Sequence, residues 1–134
     1  MEGLAAYNVS RDRLLAERTG EALGMLARLR GLLGRAALPR GEALLIGSCN
    51  SIHTFFMKFP IDVLFLDRGG RVVRAIPRLG PWRATRVYLK ADRVLELWAG
   101  ALEESGTQAG DQIELRPRSA GQGGFDPAFG GGLV

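Results

Sequence analysis

The sequence predicts an α+β domain that is mainly β: a small twisted sheet or partial barrel with one short amphipathic helix. Two observations predict it. Apolar runs of strand length recur through the chain, separated by Gly, Pro and Asp at turn positions. One stretch near the N-terminus instead spaces its apolar residues by three and four. With 134 residues, 46% of them hydrophobic and 24% charged, the chain suffices for one domain with a real core. We divide it into a loose tail over 1–9, a globular domain over 10–116 and a flexible Gly-rich tail over 117–134.

The elements follow in order. Leu14-Leu15-Ala16 reads as a short first strand. Thr19 and Gly20 before Glu21 read as a helix start. Leu23, Leu26, Leu29 and Leu33 then form one helical face over 22–33, with Gly34 as its stop. Such a face is usually core packing. Leu38-Pro39-Arg40-Gly41 is a turn, and Ala43 to Ile46 a short strand. Residues 47–54 are too irregular for either periodicity. Ile61 to Leu66 is apolar with almost no alternation, so it is a strand covered on both faces. Asp67-Arg68-Gly69-Gly70 is a hairpin turn, and Arg71 to Ile76 returns as a strand that Pro77 ends. Val87 to Leu89 and Arg93 to Trp98 are further strands. Ala101 to Ser105 is one helical turn, and Gln112 to Leu115 the last strand. The end, SAGQGGFDPAFGGGLV, is too poor in apolar residues to order itself, although Phe125 and Phe129 offer docking side chains.

Composition narrows the function. A single Cys excludes an internal disulfide, so the fold stands on packing. No apolar run reaches the roughly 18 residues of a membrane helix. The N-terminus lacks the pattern of a signal peptide, which makes a cytoplasmic location the default. The net charge is +4, and the only lysines among 18 basic residues are Lys58 and Lys90. The arginines are spread along the chain, as a GC-rich genome would place them on any surface, so no nucleic-acid partner is expected.

The chemistry concentrates in Cys49 to Asp67, CNSIHTFFMKFPIDVLFLD, which holds the only Cys, the only His and four of the six Phe. His53 is suited to act as acid, base or ligand near neutral pH, or simply to bond backbone in its loop. Asp62, between Ile61 and Val63, and Glu96, between Leu95 and Leu97, are carboxylates inside apolar strands. Such groups must be paired or hydrogen-bonded, and desolvation is how general acids arise. Were their strands neighbours, Asp62, Glu96 and His53 would be placed to converge on one polar pocket. The alternative gives Asp62 backbone N–H partners from the preceding loop and turns Glu96 to solvent. Cys49, His53 and Met57 are the donors a soft metal such as Cu(I) takes, but no second Cys or His completes a structural zinc site. A Cys49 thiolate would make a nucleophile, although a lone Cys is usually a small buried hydrophobe. Ser51 and Thr54 flank His53, without the Gly-x-Ser-x-Gly elbow of a serine hydrolase. Trp82 and Arg83, after Gly80-Pro81, make an aromatic-plus-cation pair for a ligand, or a Trp that caps the core.

RLRGLLGR at 28–35, SIHTFFMKFPIDVLFLD at 51–67, GGRVV at 69–73, LELWAG at 95–100 and GTQAGDQIEL at 106–115 together resemble the domain-of-unknown-function 192 family of bacteria and archaea. The resemblance covers most of residues 14–115 and is most specific in the middle segment. It implies a compact, mainly β domain with a short helix, and relatives with export signals. It implies no activity. No cofactor motif is present. The reading that follows is a non-enzymatic accessory module that binds a small ligand or a protein. The alternatives are a hydrolase-like enzyme using His53 with Asp62 or Glu96, and soft-metal binding through Cys49, His53 and Met57.

Overall fold

The computed structural model describes residues 3–23 and 35–118. Seven strands and one helix follow in the order β1 (Leu4–Asn8), β2 (Arg13–Leu23), β3 (Glu42–Gly47), β4 (Ile61–Leu66), β5 (Val72–Leu79), β6 (Arg93–Trp98), α1 (Ala101–Ser105) and β7 (Ile113–Pro117). They form one sheet in the order β5-β4-β6-β3-β2-β1-β7. Every neighbouring pair is antiparallel except β2 and β3. A parallel pair needs a long crossover, and residues 24–41 lie between these two strands.

The sheet curls into a half-barrel whose two edge strands meet at one corner. There Val72 N–H donates to the Asp111 carbonyl (2.8 Å), Gly110 N–H to the Val72 carbonyl (2.9 Å) and Ile113 N–H to the Gly70 carbonyl (2.9 Å). Gly70 takes φ 90°, and a Cβ there would overlap the Ile113 carbonyl, so the corner closes only around glycine.

Strand β4 is buried along its whole length. Leu64 and Leu66 pack inside the curl with Leu45, Leu95, Leu97 and Ile113. Ile61, Val63 and Phe65 face outward, where Ile52, Met57, Phe59 and Ala91 cover them together with Ile46 and Val94. The period-two alternation thus feeds two cores, one on each face. The outer core exists because residues 48–60 and 80–91 are laid across the sheet. This is the mainly β α+β fold that the sequence predicts.

Several local expectations are corrected. Residues 4–8 are not a loose tail: β1 is an interior strand between β2 and β7, with Ala6 fully buried. Residues 19–23 continue β2 rather than starting a helix, because each pairs with β3 from Ala43 to Gly47. The rest of the proposed helix, 24–33, and Gly34 lie outside the described residues, as do 119–134 with Phe125 and Phe129. Pro77 does not end β5. Ile61 pairs with Leu79 and Val63 with Ile76, so Asp62 faces both Pro77 and Arg78 across a β-bulge. A bulge on an edge strand tolerates a residue with no N–H. Val87 to Leu89 is irregular rather than a strand. Ala101–Ser105 and Ile61–Leu66 form as predicted.

Candidate functional site

The two segments that cover the outer core are bonded to each other as an irregular ribbon. Thr54 N–H donates to the Arg83 carbonyl (2.8 Å), Trp82 N–H to the Thr54 carbonyl (3.0 Å), Thr85 N–H to the Ile52 carbonyl (2.9 Å) and Tyr88 N–H to the Asn50 carbonyl (2.9 Å). His53 lies opposite Ala84 in an antiparallel bridge. Thr54 is the pin. Fully buried, its hydroxyl donates to the Gly80 carbonyl (2.6 Å) and accepts from Arg83 N–H (2.9 Å). Ile52 and Met57 point down into the core.

What faces out is aromatic. Phe55 is 38% exposed, Phe56 62% and Trp82 59%. His53 stacks on Phe55 at 4.7 Å between ring centroids, Phe55 lies 6.0 Å from Trp82, and Phe56 tilts against Trp82 at 4.7 Å. The His53 Nδ1 accepts the Phe55 N–H at 3.2 Å. Phe56 and Trp82 both sit at positive φ, 70° and 60°. A bulky side chain there costs roughly 1–2 kcal/mol, and strain of this kind gathers at functional sites. Two candidate surfaces that are thirty residues apart in sequence, around His53 and around Trp82-Arg83, are therefore one surface. Phe55 and Phe56 complete it, although neither is a site candidate on sequence grounds. The signal for them was two adjacent Phe between Thr54 and Met57, a pair that cannot both enter a core on an extended chain.

The buried carboxylates do not join this surface as a pair. β4 and β6 are neighbours, but Asp62 pairs with Leu97 and Val63 with Glu96, so Asp62 and Glu96 point to opposite faces of the sheet. The single convergent pocket is thereby corrected. Asp62, fully buried, is held by three backbone donors: Arg78 N–H to Oδ1 (2.8 Å), and Gly100 N–H (3.1 Å) and Leu102 N–H (2.8 Å) to Oδ2. It locks the β5 bulge and caps the first turn of α1, whose own Gly100 supplies no side-chain cap. The donors come from later segments, not from the preceding loop. Glu96 is fully buried rather than turned to solvent, on the outer face with Val63 and Leu44.

The soft donors are dispersed in environment. Met57 is only 2% exposed, within the outer core. The Cys49 thiol donates to the Ser51 carbonyl at 3.1 Å, and its N–H to the Asp92 carbonyl. Among the described residues no three His, Cys, Asp or Glu side chains are grouped to hold a metal.

A second polar cluster escaped the sequence reading. Asp111 Oδ2 accepts from Arg11 Nε (2.6 Å), Asn8 Nδ2 (3.1 Å) and Gln108 N–H (3.1 Å). Asn8 Nδ2 also reaches the Thr107 hydroxyl (2.9 Å). Burial pushes the Asp111 carboxyl up, but the Arg11 and Asn8 hydrogen bonds, the Gln108 N–H and the Arg11 charge outweigh it and hold its pKa below the ordinary 3.8. The cluster ties the β1–β2 turn to the GTQAGD loop. Its donors and acceptors satisfy each other, which marks it as structural.

Among the described residues no helix is long and apolar enough to cross a membrane. Comparison with known proteins gives a family and no activity. The curated relatives include a UPF0127 protein of Pyrococcus horikoshii, 41% identical over 64 residues, or 48% of this chain and 55% of that protein. A UPF0127 protein of Thermococcus sibiricus is 38% identical over 64 residues, or 48% of this chain and 41% of that protein. The chain thus matches about half the length of these relatives. Among solved structures, a Sinorhizobium meliloti protein described as a "putative transcription regulator" superimposes with a TM-score of 0.67 at 20% identity, covering 84% of this chain and 91% of that one. A protein of unknown function from Novosphingobium aromaticivorans gives 0.69 at 19% identity, covering 83% and 82%. At such identity the likeness is one of fold. A family profile described as "Uncharacterized ACR" matches residues 21–115, and the chain belongs to this domain-of-unknown-function 192 family.

Proposed function

We propose that the chain is a non-enzymatic binding module whose contact surface is the aromatic platform of Phe55, Phe56 and Trp82, flanked by His53 and Arg83. The observation that carries this reading is the exposure of three clustered aromatic rings on a ribbon pinned by the buried Thr54. Exposed apolar clusters rimmed by polar residues mark interaction surfaces. Aromatic anchors held rigid before binding lose little entropy on contact. The strain at Phe56 and Trp82 supports the same reading, since glycine would relieve it and remove the rings.

The acid–base alternative draws no support from Asp62, whose two oxygens are engaged by three backbone donors. The platform fits a polypeptide better than a small molecule. Its three rings are 38%, 62% and 59% exposed, whereas small ligands sit in concave pockets that bury most of their surface.

Panning a random peptide-display library on the full chain, with counter-selection on a Phe56→Ser/Trp82→Ser double variant, tests the proposal. The expected result is a recurrent set of peptides that the double variant loses. Peptides that bind both proteins equally, or no enrichment at all, would overturn it.

A further inference from the structure

We infer that the partner of this platform is an acidic polypeptide segment carrying Leu or Phe among its carboxylates. The inference rests on the binding-module reading and adds the partner's charge. Residues 48–60 and 80–90 contain no Asp or Glu, and their four charged side chains are all cationic: Lys58, Arg83, Arg86 and Lys90. All four are exposed. None of them forms an ion pair among the described residues, a state they share with Arg13, Arg68, Arg71, Arg74, Arg93 and Arg118, and on this ribbon such cations stand with no acidic residue in the segment. The same ribbon carries Phe55, Phe56, Trp82, Val87 and Leu89 as exposed apolar side chains, Leu89 at 89%. A complementary chain therefore needs negative charge and apolar anchors at once.

Ring geometry decides against single-stranded nucleic acid, the other polymer that combines negative charge with stacking groups. A base needs an open aromatic face. Here His53 covers one face of Phe55, and Phe56 leans on Trp82 at an interplanar angle of 59°. Rings packed on one another in this way suit docked side chains better than stacked bases.

Fluorescence anisotropy of the full chain separates the outcomes. The probe is a labelled short peptide alternating Glu with Leu and Phe. The comparisons are the same peptide with Gln for every Glu, the same peptide with Lys for every Glu, and an oligothymidylate. The acidic peptide should bind at least about tenfold more tightly than the Gln peptide. Its affinity should fall between about 50 mM and about 500 mM NaCl. Trp82→Ala should weaken it about tenfold or more, and so should Lys58→Glu/Arg83→Glu, with circular dichroism confirming that both variants fold. Equal affinity for the Glu and Gln peptides, lost in Trp82→Ala, would overturn the acidic partner and leave the binding module standing. Tighter binding of oligothymidylate would overturn it in favour of nucleic acid. Absence of any Trp82-dependent peptide binding would overturn both readings.

Discussion

Asp62 and Trp82 each sit where hydropathy alone would not put them, and the difference between them is instructive. Asp62 is a carboxylate in the middle of the most buried strand. Its cost is offset where it stands, because three backbone N–H groups meet its oxygens and it ties β5, β4 and α1 together. Trp82 and Phe56 are large apolar side chains left more than half exposed, 59% and 62%. An anomaly that the fold satisfies is architecture. One that the fold leaves open, and holds in a strained backbone, is what the proposed binding surface rests on.

The sharpest break of this comparison is Asp62→Ala. It strands one buried and two part-buried N–H groups and should destabilise the domain by several kcal/mol, at about 1–3 kcal/mol for each buried donor left unmet. Asp62→Asn keeps an acceptor for the helix or the bulge but not both, and should cost less. Denaturant midpoints of the two variants check the order. An Asp62→Asn protein as stable as wild type would move Asp62 from architecture to chemistry.

The Asn8–Arg11–Asp111 cluster should behave like Asp62 on a smaller scale. Asp111→Ala leaves Asn8 and Gln108 donors unmet and should cost about 1–3 kcal/mol in urea denaturation. The pH dependence has a definite sign. Because the folded pKa of Asp111 lies below its ordinary 3.8, its contribution is complete above that value and is lost as the pH falls through the lower folded one. Acid should therefore lower the urea midpoint of the wild type more steeply than that of Asp111→Asn. Parallel acid profiles would remove Asp111 from the account.

The platform should invert the pattern. Phe56→Gly, at φ 70°, should raise stability relative to Phe56→Ala by about 1 kcal/mol, since only glycine occupies that backbone region without cost. Trp82→Ala should change stability by about 0.5 kcal/mol or less, as exposed positions do, while weakening peptide binding about tenfold or more. A large loss of stability in Trp82→Ala would mean that Trp82 caps the core after all.

Much of the fold was legible before any coordinates. Ile61–Leu66 lacks alternation because both its faces are covered, and the two cores show this. The hairpin turn at Asp67–Gly70, the strand Arg93–Trp98 and the turn Ala101–Ser105 are local decisions written in local residues. β1 was not legible. LAAYN carries little pattern of its own, and it becomes a strand only because β2 and β7 pair with both its edges. Residues 19–23 have helical start signals that the parallel ladder with β3 overrides.

The site divides in the same way. The sequence by itself put the only Cys, the only His and four of the six Phe together in Cys49 to Asp67. It determined that Asp62 must be bonded, because a bare carboxylate cannot enter a core. Only the tertiary structure decided which groups meet. A register of one residue between β4 and β6 sends Asp62 and Glu96 to opposite faces, and no local signal specifies that register. The ribbon between residues 50–54 and 82–88 brings Phe55 and Phe56 to Trp82 through hydrogen bonds that span some thirty residues. Contacts of that range are set by the collapse of the whole sheet.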